Sequence, residues 1–319
     1  RVGAWAPRSR CCSPSRVADA LSPLVLFVGA CYTGRRLATA LIADGHAVTC
    51  AQRSRQPVGG ANIFVTDLDD ATSVQALQQH LTAGQQLRVA YLVPPPADLN
   101  DANATDTRLA ALLHALPATT ERVVLASTTG VYGDHRGRRV DETTPTAPSN
   151  RRAIARVAAE QTLARWSFES NVETVVLRIA GIYGPGRLPL QALRDGTPVV
   201  NVAESGPGNR IHVDDLVRCF YRALFAASPP PIVNISDGDH RSTARFHQDV
   251  AQLADLPTPV FVSMAEAEAQ FSPMRLSFIR ESRALDNSVL RNDLGVTLQY
   301  ADPRDGITAS LAEQAETTR

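Results

Sequence analysis

The sequence predicts an α/β chain: a Rossmann-type, doubly wound parallel sheet with a smaller C-terminal substrate lobe. Three observations predict it. The apolar run Leu24–Val28 breaks at Gly29 and passes into helical spacing from about Tyr32. Short apolar runs then alternate with helix-spaced segments as far as Ile235. The 319 residues suffice for one large α/β unit, or a core with a lobe.

The opening stretch, LVLFVGACYTGRRLATAL (24–41), organises the rest. Leu24–Val28 is apolar throughout, as in a strand buried on both faces of a parallel sheet. Leu37, Ala38, Leu41 and Ile42 fall three or four apart and give one buried helix face. Strand, glycine turn and helix are the context in which G-x-G-x-x-G signifies dinucleotide binding. Gly29 makes the turn, Gly34 lets the helix pack on the strand, and Tyr32 opens the helix. Cys31 stands where the middle glycine would bring backbone up to the diphosphate. Cys is small, so a slightly wider approach remains open, and the helix N-terminus still offers free N–H groups. A purely structural strand–turn–helix is the alternative.

Composition narrows the function classes. Formal net charge is zero, which implies no general attraction to nucleic acid or acidic membranes. No apolar run approaches the roughly eighteen residues that span a bilayer. Five cysteines show no recognisable spacing, and Cys31, Cys50 and Cys219 fall in segments that read as buried. A reduced, cytoplasmic setting is expected. Residues 1–22 are Arg-rich, carry Cys11–Cys12, and read as a disordered or expression-derived leader, with an organelle-targeting peptide as the alternative. All 32 basic residues of the Lys+Arg count are Arg. Schiff-base chemistry, a phosphate-loop lysine and any tyrosine–lysine dyad are thereby excluded.

The second strand spans Ala47–Ala51, about twenty residues past the turn, where a Rossmann unit reads the ribose. No acid follows it. Arg53, and Arg55 beyond it, could pair instead with a 2′-phosphate, which favours NADP with NAD possible; two solvated arginines are the alternative. Ile63–Val65 is a third strand, after which Asp67 and Leu68 would reach the adenine region. A helix over Ala71–His80 precedes a fourth strand, Val89–Val93. Val93 and Pro94, at the head of three prolines, would form a wall beside the cofactor.

A helix from about Asp106 to Leu116 leads to a fifth strand, Arg122–Ala126, which ends in Ser127-Thr128-Thr129. Hydroxyls at that end of a parallel strand face the ligand crevice. A helix over about Arg151–Trp166 and a sixth strand, Thr174–Ile179, follow. A helix from Asp214 to Phe225 and a seventh strand, Ile232–Ile235, return to the core. The domain reading is therefore a Rossmann unit over 23–180 and a lobe over 181–319, with 211–236 rejoining the core. Phe246–Leu253 and Ser288–Leu294 read as lobe helices, and no metal-ligand spacing is present.

These pieces resemble the extended, atypical short-chain dehydrogenase/reductases of the NAD(P)-dependent epimerase/dehydratase-like group. The resemblance rests on VGACYTGRRLA (28–38), YLVPPP (91–96), STTGVYGD (127–134), VDETTP (140–145), LRIAGIYGPGR (177–187), NRIHVDDL (209–216) and SRALDNSVLRNDLG (282–295), in family order over about 24–310. It implies a nicotinamide dinucleotide, with Ile182 in a loop covering the nicotinamide, and a Ser/Thr–Tyr–Lys trio. The Ser/Thr position falls on Thr128; counting back from Glu160 puts the tyrosine and lysine positions on Arg152 and Arg156. Arginine stays protonated, so neither residue can relay a proton, though each could hold ribose or phosphate. Tyr132 and Tyr183 are the substitute donors in sequence reach, with His135 and His212 behind them; structural roles compete for all four. Arg210 would meet an anionic substrate group or lie solvated.

The expected function is an NAD(P)-binding oxidoreductase acting on a small polar or sugar-like molecule. A non-catalytic NADP-binding sensor or partner-binding protein is the alternative. A homodimer is possible.

Overall fold

The computed structural model describes residues 23–81 and 85–317, so the expected leader and its Cys11–Cys12 lie outside the described residues. β1 (Leu24–Val28) turns into α1 (Tyr32–Ala43), followed by β2 (Val48–Gln52) and β3 (Asn62–Val65). α2 (Ala71–Leu81), β4 (Leu87–Tyr91), α3 (Thr107–Ala115) and β5 (Thr120–Thr128) continue the alternation. Past the short β6 (Arg139–Val140) come α4 (Arg151–Ser170), β7 (Glu173–Ile179) and β8 (Gly181–Tyr183).

The seven long strands form one parallel sheet when β11 (Ile232–Ile235) is added at its edge, in the order β11-β7-β5-β4-β1-β2-β3. Strand order reverses at β1, which lies between β2 and β4, and a crevice opens there at the carboxyl ends.

Alternation along β1 builds two cores. Val25 and Phe27 face Leu37 and Leu41 of α1 and Leu216 and Phe220 of α6 (Val213–Phe225). Leu26 and Val28 face Leu77 of α2, Leu109 and Leu112 of α3 and Leu163 of α4. Each such side chain, fully removed from water, contributes about 1.5–3 kcal/mol. His212 caps α6: its Nδ1 accepts from the Asp214 N–H at 3.2 Å.

The remaining elements sit beyond β8. α5 (Leu190–Arg194), α7 (Thr243–Leu253) and α11 (Pro303–Thr317) pack around Tyr183, Leu193, Phe246, Val250 and Ile307. β9 (Val199–Val200) pairs with β12 (Phe261–Val262), beside α8 (Met264–Gln270) and α9 (Pro273–Arg280). β10 (Arg210–His212) pairs with β8, and β13 (Ala284–Leu285) pairs with β6.

Two local expectations are corrected. β4 ends at Tyr91 rather than Val93: Leu92 N–H still reaches Val28 O at 2.9 Å, but the prolines from Pro94 have no N–H to carry the ladder on. α10 (Ser288–Asn292) belongs to the Rossmann side rather than the lobe, since Leu290 and Leu294 join the core of Ile235 and Leu216.

Candidate functional site

The Gly29 turn stands at the carboxyl end of β1, against the chain leaving β4. Gly29 has φ +96°, and a Cβ there would stand 3.1 Å from Val93 Cγ2 and 3.2 Å from Val93 N. Backbone from two strand ends meets at this glycine. A Cβ on Gly34 would lie 2.3 Å from Phe27 Cζ, so α1 rests directly on β1. Cys31 occupies the N-cap of α1, exposed, with no side-chain capping bond. The first N–H groups of a helix have no partner within it and suit an anion.

Arg156 comes down from α4 onto the same turn: its Nη1 donates to Val93 O at 3.2 Å, and Cys31 lies within its electrostatic reach. Pro94 is exposed beside them, and Arg53 and Arg55 stand exposed past the end of β2. Asp67 is turned to local work: its Oδ1 accepts from the Asp69 N–H at 3.1 Å, while Leu68 packs against the core.

A family model described as the NAD dependent epimerase/dehydratase family matches residues 25–236. The chain belongs to that family. Protein YeeZ of Escherichia coli K12 is 31% identical over 194 residues, spanning 60% of this chain and 62% of that protein. UDP-glucose 4-epimerase of Mycolicibacterium smegmatis is 29% identical over 301 residues, 85% of this chain and 91% of the enzyme. Among solved structures, a functionally unknown conserved protein from Silicibacter pomeroyi superposes with a TM-score of 0.75 at 30% identity, covering 92% of this chain and 99% of that one. MoeE5 in complex with UDP-glucose and NAD superposes at 0.73 with 22% identity, over 92% of this chain and 99% of that one, a likeness of fold.

Set against the family's trio, this chain's residues divide sharply. Thr128 is half-buried at the end of β5, and its Oγ1 accepts from the Gly130 N–H at 3.2 Å, which leaves the hydroxyl proton free to donate. Ser127 points the other way. Its buried hydroxyl donates to Glu160, which pairs with Arg178 at 2.8 Å.

Tyr132 and Tyr183 are both corrected as proton donors. Tyr132 is fully buried, its hydroxyl donates to Asn234 Oδ1 at 2.7 Å, and Arg178 covers its ring. Tyr183 is buried between His212 and Phe246, away from the crevice. Burial raises the pKa of both phenols. Tyr32 braces the loop after β8 by donating to Pro185 O at 2.9 Å, and Arg187 stacks on its ring. Ile182, half-buried in that same region, packs against the core. Arg210 is also structural, donating to Arg241 O at 2.9 Å and Thr243 Oγ1 at 3.1 Å.

Arg152, exposed on α4, stacks over Phe278 of α9 at 4.4 Å. Phe278 lines a cavity of about 270 Å³ between β9, the start of α7 and α9, together with Thr243, His247, Arg275 and Glu281. The Arg152–Phe278 contact thus brings α4 against a residue that lines this cavity. Glu281 accepts from Ser149 and from Asn150 Nδ2 at 2.8 Å, and pairs with Arg283 at 3.2 Å. Of this chamber's lining, the sequence motifs reached only Ser282, which opens SRALDN; His247 lies on the expected Phe246–Leu253 helix but in no motif, and α9 carries none.

Among the described residues, no group of three or more His, Cys, Asp or Glu is placed to hold a metal, and no helix is long and apolar enough to cross a membrane.

Proposed function

We propose that this chain is a nicotinamide dinucleotide-dependent oxidoreductase of the epimerase/dehydratase type, acting on a small polar or sugar-like substrate in the chamber beside Arg152. The observation that carries the reading is the juncture of Gly29, the α1 N-terminus and Arg156 at the mouth of the crevice. A bound dinucleotide would supply hydride transfer there. Gly29 turns the chain beneath the diphosphate, and the first turn of α1 offers N–H donors to it.

Arg53 favours NADP, because its exposed guanidinium, past the end of β2, suits a 2′-phosphate. Thr128 polarises the substrate oxygen with its free proton. Arg152 holds a ribose or phosphate oxygen rather than relaying a proton. Thr128 would carry the chemistry with less general acid–base help than the family's trio, a loss typically of about 10²–10⁴-fold. Sugar nucleotides are a candidate substrate class, since UDP-glucose is named for several structural relatives. A homodimer in a reducing compartment belongs to the same proposal.

A second reading is a nucleotide-binding protein without turnover. Two arginines at 152 and 156, with both candidate tyrosines buried, favour it. Reduction of a carbonyl panel with NADPH separates the two. Turnover abolished by Thr128→Ala supports the enzyme; tight NADPH binding without turnover supports the binding protein.

A further inference from the structure

Two departures from the family's pattern meet at one place. Cys31 replaces the glycine that lets backbone approach a diphosphate, and Arg156 replaces the lysine of the proton relay. They come from distant elements. Yet Arg156 Nη1 bonds Val93 O at 3.2 Å, Val93 N lies 3.2 Å from a Cβ placed on Gly29, and Cys31 is within the charge's reach.

The Val93 bond is the one hydrogen bond described for Arg156. Among the described residues it makes no other side-chain hydrogen bond and no ion pair, although Asp106 and Glu160 act on its charge, and the residue is half-buried. Beneath it, Asp106 Oδ2 and the Tyr91 hydroxyl are buried with no hydrogen-bond partner, and both interact electrostatically with Arg156. Asp106 is already spent in part, because its Oδ1 caps α3 through the Leu109 N–H at 3.1 Å. A half-buried cation with spare donors beside a helix N-terminus suits an anion.

We propose that Arg156 is the diphosphate anchor of this chain, supplying from α4 the contact that Cys31 denies to the backbone of the turn. The two substitutions are then compensating: a thiol holds the ligand slightly off the turn, and a long bidentate side chain closes the gap. The proposal rests on the dinucleotide reading and assigns to Arg156 a role on phosphate rather than on the nicotinamide ribose.

ADP and AMP separate these roles, since ADP carries the diphosphate without the nicotinamide ribose and AMP carries neither. Titrating the full chain, Arg156→Gln should weaken ADP by about tenfold or more and leave AMP within about twofold. In a Cys31→Gly background, which restores close backbone approach, Arg156→Gln should cost ADP less than about threefold. Arg156→Lys, which keeps the charge but loses the fork, should give an intermediate loss and serves if the glutamine variant does not fold. The proposal is overturned if Arg156→Gln leaves ADP unchanged in a chain that binds NADPH, if AMP falls equally, or if the dependence survives in Cys31→Gly. Failure of the wild-type chain to bind ADP, NADPH or NADH removes the dinucleotide reading itself, a distinct result.

Discussion

Glu160 of α4 and Arg178 of β7 form a buried ion pair at 2.8 Å, and Ser127 donates a further hydrogen bond to the same carboxylate. The pair fastens the helix bearing Arg152 and Arg156 to the sheet. Breaking a buried pair by removing one partner strands the other charge. Glu160→Ala should therefore cost about 3–5 kcal/mol, read by urea unfolding. Glu173→Ala, which frees Arg122 from a partner 43% exposed at its side chain, should cost far less.

Gly34→Ala tests the seat of α1. Its new methyl would meet Phe27, which is itself fully buried and cannot swing aside. Overpacking of this kind costs about 1–3 kcal/mol. The expected result is a lower unfolding midpoint together with weakened nucleotide binding, because α1 must move off β1.

Two buried groups set opposing pH dependences. Burial pushes Asp237 up to about 8, so the folded chain binds its proton well above the carboxylate's ordinary range. Its contribution to stability is full at low pH and falls as pH rises toward 8. Burial holds His212 down to about 4. Its contribution is full above its ordinary range and falls as pH drops toward 4. Between about pH 4 and 6.5 the two slopes offset, while between 6.5 and 8 Asp237 acts alone. Asp237→Asn should flatten the decline in unfolding free energy over that upper interval. A decline as steep as wild type would show that Asp237 titrates normally.

Cofactor choice rests on Arg53. Arg53→Ala should weaken NADPH by about tenfold and leave NADH within about twofold, measured by fluorescence titration. Equal effects on the two nucleotides would place the 2′-phosphate elsewhere.

Much of this architecture was legible in the residues. The unbroken apolar run of β1 announced a strand buried on both faces, and Gly34 against Phe27 performs the packing its position in the motif implied. The ends of elements were less so. α4 runs past Trp166 to Ser170 and stops at Asn171 with φ 58°; beyond Trp166, which packs on the core, the exposed Phe168 gives no apolar period to mark the end. The pairs β6–β13 and β9–β12 are two residues long and join distant segments, so no local period marks them.

The site was read by position rather than by surroundings. Counting back from Glu160 found Arg156, but its contact with Val93 required the fold. Ser127 and Thr128 are neighbouring hydroxyls in sequence, and Tyr132 stood as a substitute donor, yet Ser127 donates to Glu160 and Tyr132, at the end of the 3-10 turn Thr129–Tyr132, donates to Asn234. The chamber lined by Phe278 and Glu281 was missed because β9, the 205–207 segment and two helices far apart in the sequence assemble it.

Calorimetric titration of the full chain with NADPH and NADH bears most directly on whether the Gly29 turn seats a dinucleotide. One NADPH per chain is expected, with a Kd of about micromolar order and NADH weaker by about tenfold. No heat from either nucleotide up to about 1 mM would contradict the account and leave the turn a structural element alone.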